Sequence, residues 1–300
     1  MIEFTVVIPA YNDAVRLEKC LKALSQQTLP SDKFIVKVID NNSIQDLKSI
    51  VERFRFAEYL FEAKAGSYAA RNNALDNINT PFIAFTDSDC IPQENWLECA
   101  LSTLRDSGDG VGAIGGKVML FAENERPNLC EYYDMVTGFD QQSYIEKDGF
   151  SVTANLIVKR SALTKTGVFN ALLMSSGDKD WCLRMQQQGL TLVYCKQAIV
   201  AHPARNSVKQ IKTKLKRLFG GFYHNHKYVE PNPLFSLLGL IKAALPPIQN
   251  LKQMQKLKHS LKLSVLTQLK LFGFFYYLKL YTLVFRLRLI LGLVKQVERL

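Results

Sequence analysis

No Gly-x-Gly-x-x-Gly follows the first apolar run, and no Gly-x-x-x-x-Gly-Lys-Ser/Thr occurs anywhere in the 300 residues. Dinucleotide-binding and P-loop readings therefore lose their main support. The six cysteines include no Cys-x-x-Cys pair. Scattered over a chain this long, they read as buried reduced thiols rather than a disulfide framework or a zinc site. Within residues 206–300 no uncharged run exceeds the eleven residues Pro231–Ile241, against the roughly twenty that a spanning helix needs. The N-terminal segment lacks a basic stretch and its apolar run is short, so it reads as a strand of the fold and not a signal peptide, which implies a cytoplasmic location. There is no internal repeat. At 48% hydrophobic and 22% charged residues, the chain is neither disordered nor collagen-like.

Acids are scarce in one place only. Residues 201–300 hold 18 lysines and arginines but just two acids, Glu230 and Glu298. The first 200 residues hold 20 bases and 25 acids. A mildly acidic part is thus joined to a strongly basic one. The composition supports two domains, residues 1–205 and 206–300.

The first part alternates short β-branched runs with helical patterns. Phe4–Pro9, Phe34–Asp40, Tyr59–Ala63 and Pro81–Thr86 read as strands. Ala14–Gln27, Ile44–Phe54, Ser67–Leu75 and Trp96–Leu104 read as helices. This order predicts an α/β fold with a mostly parallel sheet flanked by helices. Such sheets carry their chemistry on loops beyond the C-terminal strand ends. Here those loops are Ala10–Asp13, Asp40–Ser43, Ala63–Gly66 and Asp87–Asp89, three of them rich in acids or amides. After Asp109 the order is less regular. Val111–Leu120, Ser151–Val158, Leu192–Cys195 and Ala198–Val200 read as strands, and Asp178–Gln188 as a helix.

Composition predicts about 0.65 Asp-x-Asp triplets in such a chain; there are two. Asp87-Ser-Asp89 directly follows a strand. Residues two apart on extended backbone point the same way, so both carboxylates face one spot, as a hard divalent ion holding phosphate oxygens requires. A strand-end turn capping a helix is the alternative. Asp178-Lys-Asp180 precedes Trp181. It is either a negatively charged first helical turn or a general base near a reacting centre. His202, before Pro203, is structural unless the fold carries it to Asp89.

Five segments in register, Val6–Asn12, Val38–Ser43, Ala69–Asn72, Phe85–Asp89 and Gly177–Trp181, together resemble a family 2 glycosyltransferase of the GT-A fold over about residues 3–205. The resemblance implies an inverting transferase that uses a nucleotide-diphosphate sugar. By similarity Pro9, Tyr11 and Asn12 line the nucleotide pocket with Ser88, Asp40 contacts the uracil or other base, and a UDP-sugar is favoured. Arg71 approaches the nucleotide. Asp89, with Asp87 beside it and His202 joining late, holds Mg²⁺ or Mn²⁺. Asp178 matches the catalytic aspartate. Two departures matter. The family commonly has Glu-Asp where this chain has Gly177-Asp178, so Asp180 is a second candidate for the base. No Gln-x-x-Arg-Trp occurs, which implies one sugar per acceptor event.

The basic tail reads as helices lying on an anionic membrane surface, their apolar faces in the headgroup region. This places the protein at the inner face of the cell membrane, beside a glycan or lipid-linked acceptor. Leu271–Val294 is interrupted by Lys279, Arg286 and Arg288, which disfavours spanning. These charges fall on opposite sides of one helix, so at least two helices or a break near Gly273 are expected, with another break at Pro246-Pro247. A nucleic-acid partner is not supported, because no binding fold accompanies the charge. The readings from other classes are a nucleotide-sugar-binding protein without turnover and a basic membrane-surface adaptor.

Overall fold

A computed structural model describes residues 1–76, 78–173, 175–226 and 235–294. Its strands are β1 (Phe4–Ala10), β2 (Phe34–Asp40), β3 (Ala57–Phe61), β4 (Phe82–Phe85), β5 (Ile91–Pro92), β6 (Val111–Phe121), β7 (Leu156–Lys159) and β8 (Thr191–Pro203). Its helices are α1 (Ala14–Ser25), α2 (Lys48–Val51), α3 (Ser67–Leu75), α4 (Trp96–Asp106), α5 (Leu129–Thr137), α6 (Gln141–Asp148), α7 (Arg160–Thr166), α8 (Gly177–Gln187), α9 (Val208–His226), α10 (Leu237–Ala244), α11 (Ile248–Leu257) and α12 (Val265–Ile290). The described chain divides into two compact units. The first is Met1–Met119 with Phe139–His202, and the second is Leu120–Gly138 with Pro203–Leu300.

The first unit is built on one mixed sheet in the order β3-β2-β1-β4-β7-β6-β8-β5. The β3-β2-β1-β4 half is parallel. Beyond it, β4 pairs antiparallel with β7, β7 with β6, and β5 with β8. A strand covered on both faces must be apolar on both, and β1 is. Phe4, Val6 and Ile8 face one core with Leu17, Leu21 and Leu24 of α1 and Trp96 of α4. Val7 faces the other with Ile83, Phe85 and Trp181 of α8. On α1, Leu17, Cys20, Leu21 and Leu24 recur at helical spacing and are all buried.

Several elements depart from the expected bounds. Only Lys48–Val51 of Ile44–Phe54 is helical, because loop contacts engage the residues before it. The Ile44 amide donates to Asn12 Oδ1, and Gln45 Oε1 accepts from the Ala14 amide. The two short strands expected at 192–200 are one continuous β8. The strand read as Ser151–Val158 begins only at Leu156, since Thr153–Asn155 make a tight 3₁₀ turn. That turn buries Asn155, whose amide donates to the Lys117 and Ala198 carbonyls and accepts from the Trp96 indole. A Cβ on Gly116 would lie 2.3 Å from the Ala198 carbonyl oxygen and the Asn155 amide, so only glycine fits there.

The second unit packs α5, α9, α10 and α11 around α12. Pro246-Pro247 separates α10 from α11, as the sequence suggests. The break expected near Gly273 is absent, and α12 runs unbroken from Val265 to Ile290. A helical glycine costs about 1 kcal/mol. Burial of Leu271, Phe275, Leu278, Phe285 and Leu289 along the same helix offsets that. Arg286 is buried on this packed side with its guanidinium 4.9 Å from the Phe219 ring centroid. Arg288 is exposed, and Lys295 lies outside the described residues. No helix among the described residues is long and apolar enough to cross a membrane.

One carboxylate organises this unit's charge. Asp134 of α5 is fully buried and accepts from Arg205 and from Lys214 of α9, each at 2.9 Å. Burial alone would raise Asp134, but Lys214 and Arg205 outweigh it and hold its carboxyl below the usual range. The surplus of cations shows in Lys214, which burial and the neighbouring Arg205 push down to about 8. The Asp134→Asn variant leaves buried cations uncompensated and should lose about 3 kcal/mol in urea unfolding at pH 7. A depressed carboxyl stabilises above its unfolded pKa, about 3.9, and that contribution fades as pH falls through the folded value. The gap between wild type and variant should therefore close as the pH falls below about 4.

Candidate active site

The parallel register sets Ala10 of β1 opposite Asp40 of β2, and Asp40 opposite Phe61 of β3. Three strands thus end level, and their loops meet. Asn12 adopts a left-handed backbone (φ 50°), a conformation asparagine tolerates. Its amide N–H donates to Ser43 Oγ and its Oδ1 accepts from Ile44. Asp40 is buried. Its carboxylate accepts from the Ser43 amide and from the Tyr59 hydroxyl, both at 2.9 Å. Burial and the facing Asp40 push the Tyr59 phenol up to about 12. Asn41 laces the next loop: its Nδ2 donates to the Glu62 and Lys64 carbonyls, and its Oδ1 accepts from Gly66. Gly66 has φ 129°, which only glycine adopts freely. Pro9 is the penultimate residue of β1, and Tyr11, just past the strand, is exposed. Pro9, Tyr11, Asn12 and Asp40 therefore share one end of the sheet, with the Asn12 and Asp40 side chains already engaged in holding the loops.

The next loop over follows β4. Asp87 pairs with the guanidinium of Arg71, a side chain buried on α3. Ser88 Oγ donates to Asp13 at 3.1 Å. Asp89 reaches His202, with 3.5 Å between Oδ2 and Nε2. The sheet register explains this meeting of residues 113 positions apart, because β5 pairs with β8 and sets Ile91 opposite Ala201. The His202 ring also rests against Phe139, 5.1 Å between centroids. Ligand atoms of Asp87, Asp89, Cys90 and His202 all lie within 4.8 Å of one another. Two carboxylates and an imidazole suit Mg²⁺ or Mn²⁺. Burial raises the Cys90 thiol well above its ordinary value.

Asp178 and Asp180, two residues apart on the first turn of α8, differ in surroundings. Asp180 accepts from Arg184 Nε at 3.0 Å, while the other Arg184 nitrogens donate to the Thr166 and Val168 carbonyls. Its carboxylate is tied to the loop after α7. Asp178 instead meets α3. Its Oδ1 accepts from Tyr68 Oη at 3.3 Å and from the Lys179 amide at 2.9 Å. Burial raises the Asp178 carboxyl above the usual range, with the Lys179 amide, Arg71 and Tyr68 partly holding it down. A carboxylate so raised is a better proton acceptor near neutral pH. Arg71 links the two halves: paired with Asp87, it also lies 5.7 Å from the Tyr68 ring centroid and lowers the Asp178 pKa.

The sequence reading did not single out Asn41, Tyr59, Tyr68 or Cys90. Tyr68 and Cys90 directly flank segments that it did, Ala69–Asn72 and Phe85–Asp89. Asn41 lies inside the Val38–Ser43 segment, but its contacts and those of Tyr59 give no local signal, since their partners are 19 to 25 residues away.

Known proteins extend this picture. A family model described as Glycosyl transferase family 2 matches residues 5–167. Glycosyltransferase AglE of Haloferax volcanii is 36% identical over 217 residues, 71% of this chain and 70% of its own length. The chain spans between 46% and 48% of the next three curated relatives. Among solved structures, mannosyltransferase PcManGT from Pyrobaculum calidifontis, in complex with GDP-Man and Mn²⁺, superposes with a TM-score of 0.62. It shares 17% identity, with 95% of this chain and 86% of that one covered. S. aureus TarS 1-349 in complex with UDP-GlcNAc gives 0.57 at 14% identity, covering 97% and 92%. At these identities the structures establish the GT-A type of fold. Given the family match over more than half of the chain, this protein belongs to family 2 of the glycosyltransferases.

Proposed function

We propose that the protein moves one sugar from a nucleotide-diphosphate sugar to a hydroxyl of a lipid-linked or membrane-proximal glycan, with inversion at the anomeric carbon. The observation that carries this reading is the convergence of Asp87, Asp89 and His202 with Arg71 bridging electrostatically to Asp178. GDP-Man and UDP-GlcNAc bound to the two solved neighbours support a nucleotide-sugar donor. A UDP-sugar is favoured, with Asp40 reading the base and Pro9, Tyr11, Asn12 and Ser88 lining the pocket. The Mn²⁺ in PcManGT and the donor set here support a divalent cation held by Asp87, Asp89 and His202. Bound there, it neutralises charge on the diphosphate leaving group.

This chain's residues do the rest. Arg71 adds positive charge on the diphosphate side. Its Nε is buried with no hydrogen-bond partner among the described residues, which suits an incoming anion. Asp178 takes the proton of the acceptor hydroxyl, whose own pKa lies far above neutrality. The acceptor oxygen forms its bond to the anomeric carbon as the bond to the diphosphate oxygen breaks on the opposite face, which inverts that carbon. Asp180 is the weaker candidate because Arg184 holds it. The absent Gln-x-x-Arg-Trp supports a single addition per event.

The membrane partner is supported by α10 and its continuation. Leu237 and Leu238 are 74% and 70% exposed, and Ile241, Leu245 and Ile248 are also exposed. Contiguous apolar surface of this kind marks an interaction site. Positive charge without acids beside it, from Lys242 to Lys270, complements anionic headgroups at about 1 kcal/mol per base.

A thermal-shift screen of UDP, GDP, TDP and CDP, each with and without Mn²⁺, should show one nucleotide raising Tm only with the metal. That shift should vanish in Asp89→Ala, and transfer with the matching sugar should fall by at least about a hundredfold. No shift with any nucleotide would overturn the donor reading.

On anionic liposomes the wild type should sediment, and Leu237→Asn/Leu238→Asn should sediment less at equal salt. Equal recovery in the supernatant with and without liposomes would sink the membrane reading.

A further inference from the structure

The side chain facing the Asp178 carboxylate is a phenol. Tyr68 is buried on α3, and its ring is gripped on two sides. Phe169 lies 5.7 Å away between centroids, and the Arg71 guanidinium lies 5.7 Å from the ring centre. Its hydroxyl makes two contacts with one residue, donating to Asp178 Oδ1 and accepting from the Asp178 amide, both at 3.3 Å. A hydroxyl has one donor and two lone pairs, so both bonds form together. Oδ1 also accepts from the Lys179 amide. Among the described residues both of these bonds fall on Oδ1, which leaves Oδ2 as the oxygen turned to other uses.

The neighbouring position is tied to the same ring. A Cβ on Gly177 would meet three Tyr68 ring carbons at 2.7–2.9 Å, closer than real Cβ contacts allow. The gripped ring cannot swing aside without moving its hydroxyl. Gly177 also starts α8 immediately after Ser176, whose backbone is left-handed (φ 63°), so the helix start has little freedom to retreat.

We propose that Tyr68 is a positioning residue for Asp178, fixing the carboxylate by one oxygen and presenting the other to the acceptor, and that residue 177 is glycine because the Tyr68 ring fills the space a side chain would take. This rests on Asp178 being the base. The charged groups around that carboxylate are Arg71 from α3, Lys179 on its own helix, whose ammonium lies over the Phe150 ring, and Asp180, paired with Arg184. Tyr68 is the neutral partner among them. A donor to a carboxylate stabilises its charged form, so loss of the hydroxyl should make Asp178 easier to protonate.

The first readout uses the full chain and does not depend on knowing the donor. Side-chain carboxyl carbons are titrated by NMR, and the Asp178 resonance is identified as the one missing in Asp178→Asn. In Tyr68→Phe, which keeps the ring, the midpoint should rise by roughly 0.5–1 pH unit. With the donor found in the nucleotide screen, kcat should drop about fivefold with donor KM changed less than about twofold, and the rising limb of the pH profile should move up with the midpoint. An unmoved midpoint and unchanged kcat, with only Tm lowered, would show that Tyr68 merely packs, and would overturn the proposal.

The steric half has its own test. Gly177→Ala should lower Tm strongly in the wild type but little in a Tyr68→Ser background. Additive losses would overturn the shared-space argument. If Asp178→Asn keeps full transfer, the base reading itself fails. If Asp178→Asn is inactive and Tyr68→Phe is silent, only the positioning role fails.

Discussion

A single buried cation ties the first unit's chemistry together. Arg71 is only 2% exposed, and a guanidinium cannot shed its proton. Burial of such a charge is tolerable only with compensating partners. Asp87 supplies the counter-charge, the Tyr68 ring supplies a face, and the Asp178 carboxylate lies within electrostatic reach. The cation therefore fixes where the loop after β4, the start of α8 and helix α3 meet. One acid, Asp87, pairs with it directly, and the other, Asp178, feels its charge without a direct pair.

The sheet supplies the frame for that meeting. Parallel pairing brings β1, β2 and β3 to a common end, and β4, which stops at Phe85 opposite Val7, sends its loop out at the same edge of the sheet. The antiparallel half does something different. By pairing with β5, strand β8 returns to the loop after β4 and delivers His202 to Asp89. A two-residue strand therefore decides the geometry of a cluster whose members lie more than a hundred positions apart. Asn155 holds the same region from beneath, joining β6, β8 and α4 through hydrogen bonds of its one side chain.

Much of this was legible in the sequence, for a physical reason. Buried parallel strands must be short apolar runs, and the polar residues directly after them must be loops, so Asp40, Asp87 and Asp89 declared their place. Asp178 was legible through the family resemblance. Its difference from Asp180 was not, because that difference lies in partners on other elements, Tyr68 110 residues earlier and the Thr166 and Val168 carbonyls. Helices α5, α6 and α7 were missed as well. Each is seven to nine residues long, too short for a periodic pattern to stand out. The charges along α12 misled in the opposite direction: lying on opposite sides they spoke against one straight helix, yet α12 runs unbroken because Arg286 is buried on its packed side against the Phe219 ring. The Asp134 cluster joins residues 71 and 80 positions apart, and nothing local announces it.

The composition of the second unit bears on how such a chain can be cut or inherited. The unit is not an appendage added after the catalytic part, because it includes Leu120–Gly138 as well as the residues from Pro203 onward. A gene shortened at the end of β8 would strip Lys214, Arg205 and most of the apolar partners of Val136 and Tyr133 from α5. What remained would carry an orphaned helix with a carboxylate at its centre. The tail and the insertion between β6 and α6 are therefore one inheritable piece, and exchange between relatives by simple fusion at a single junction would break it.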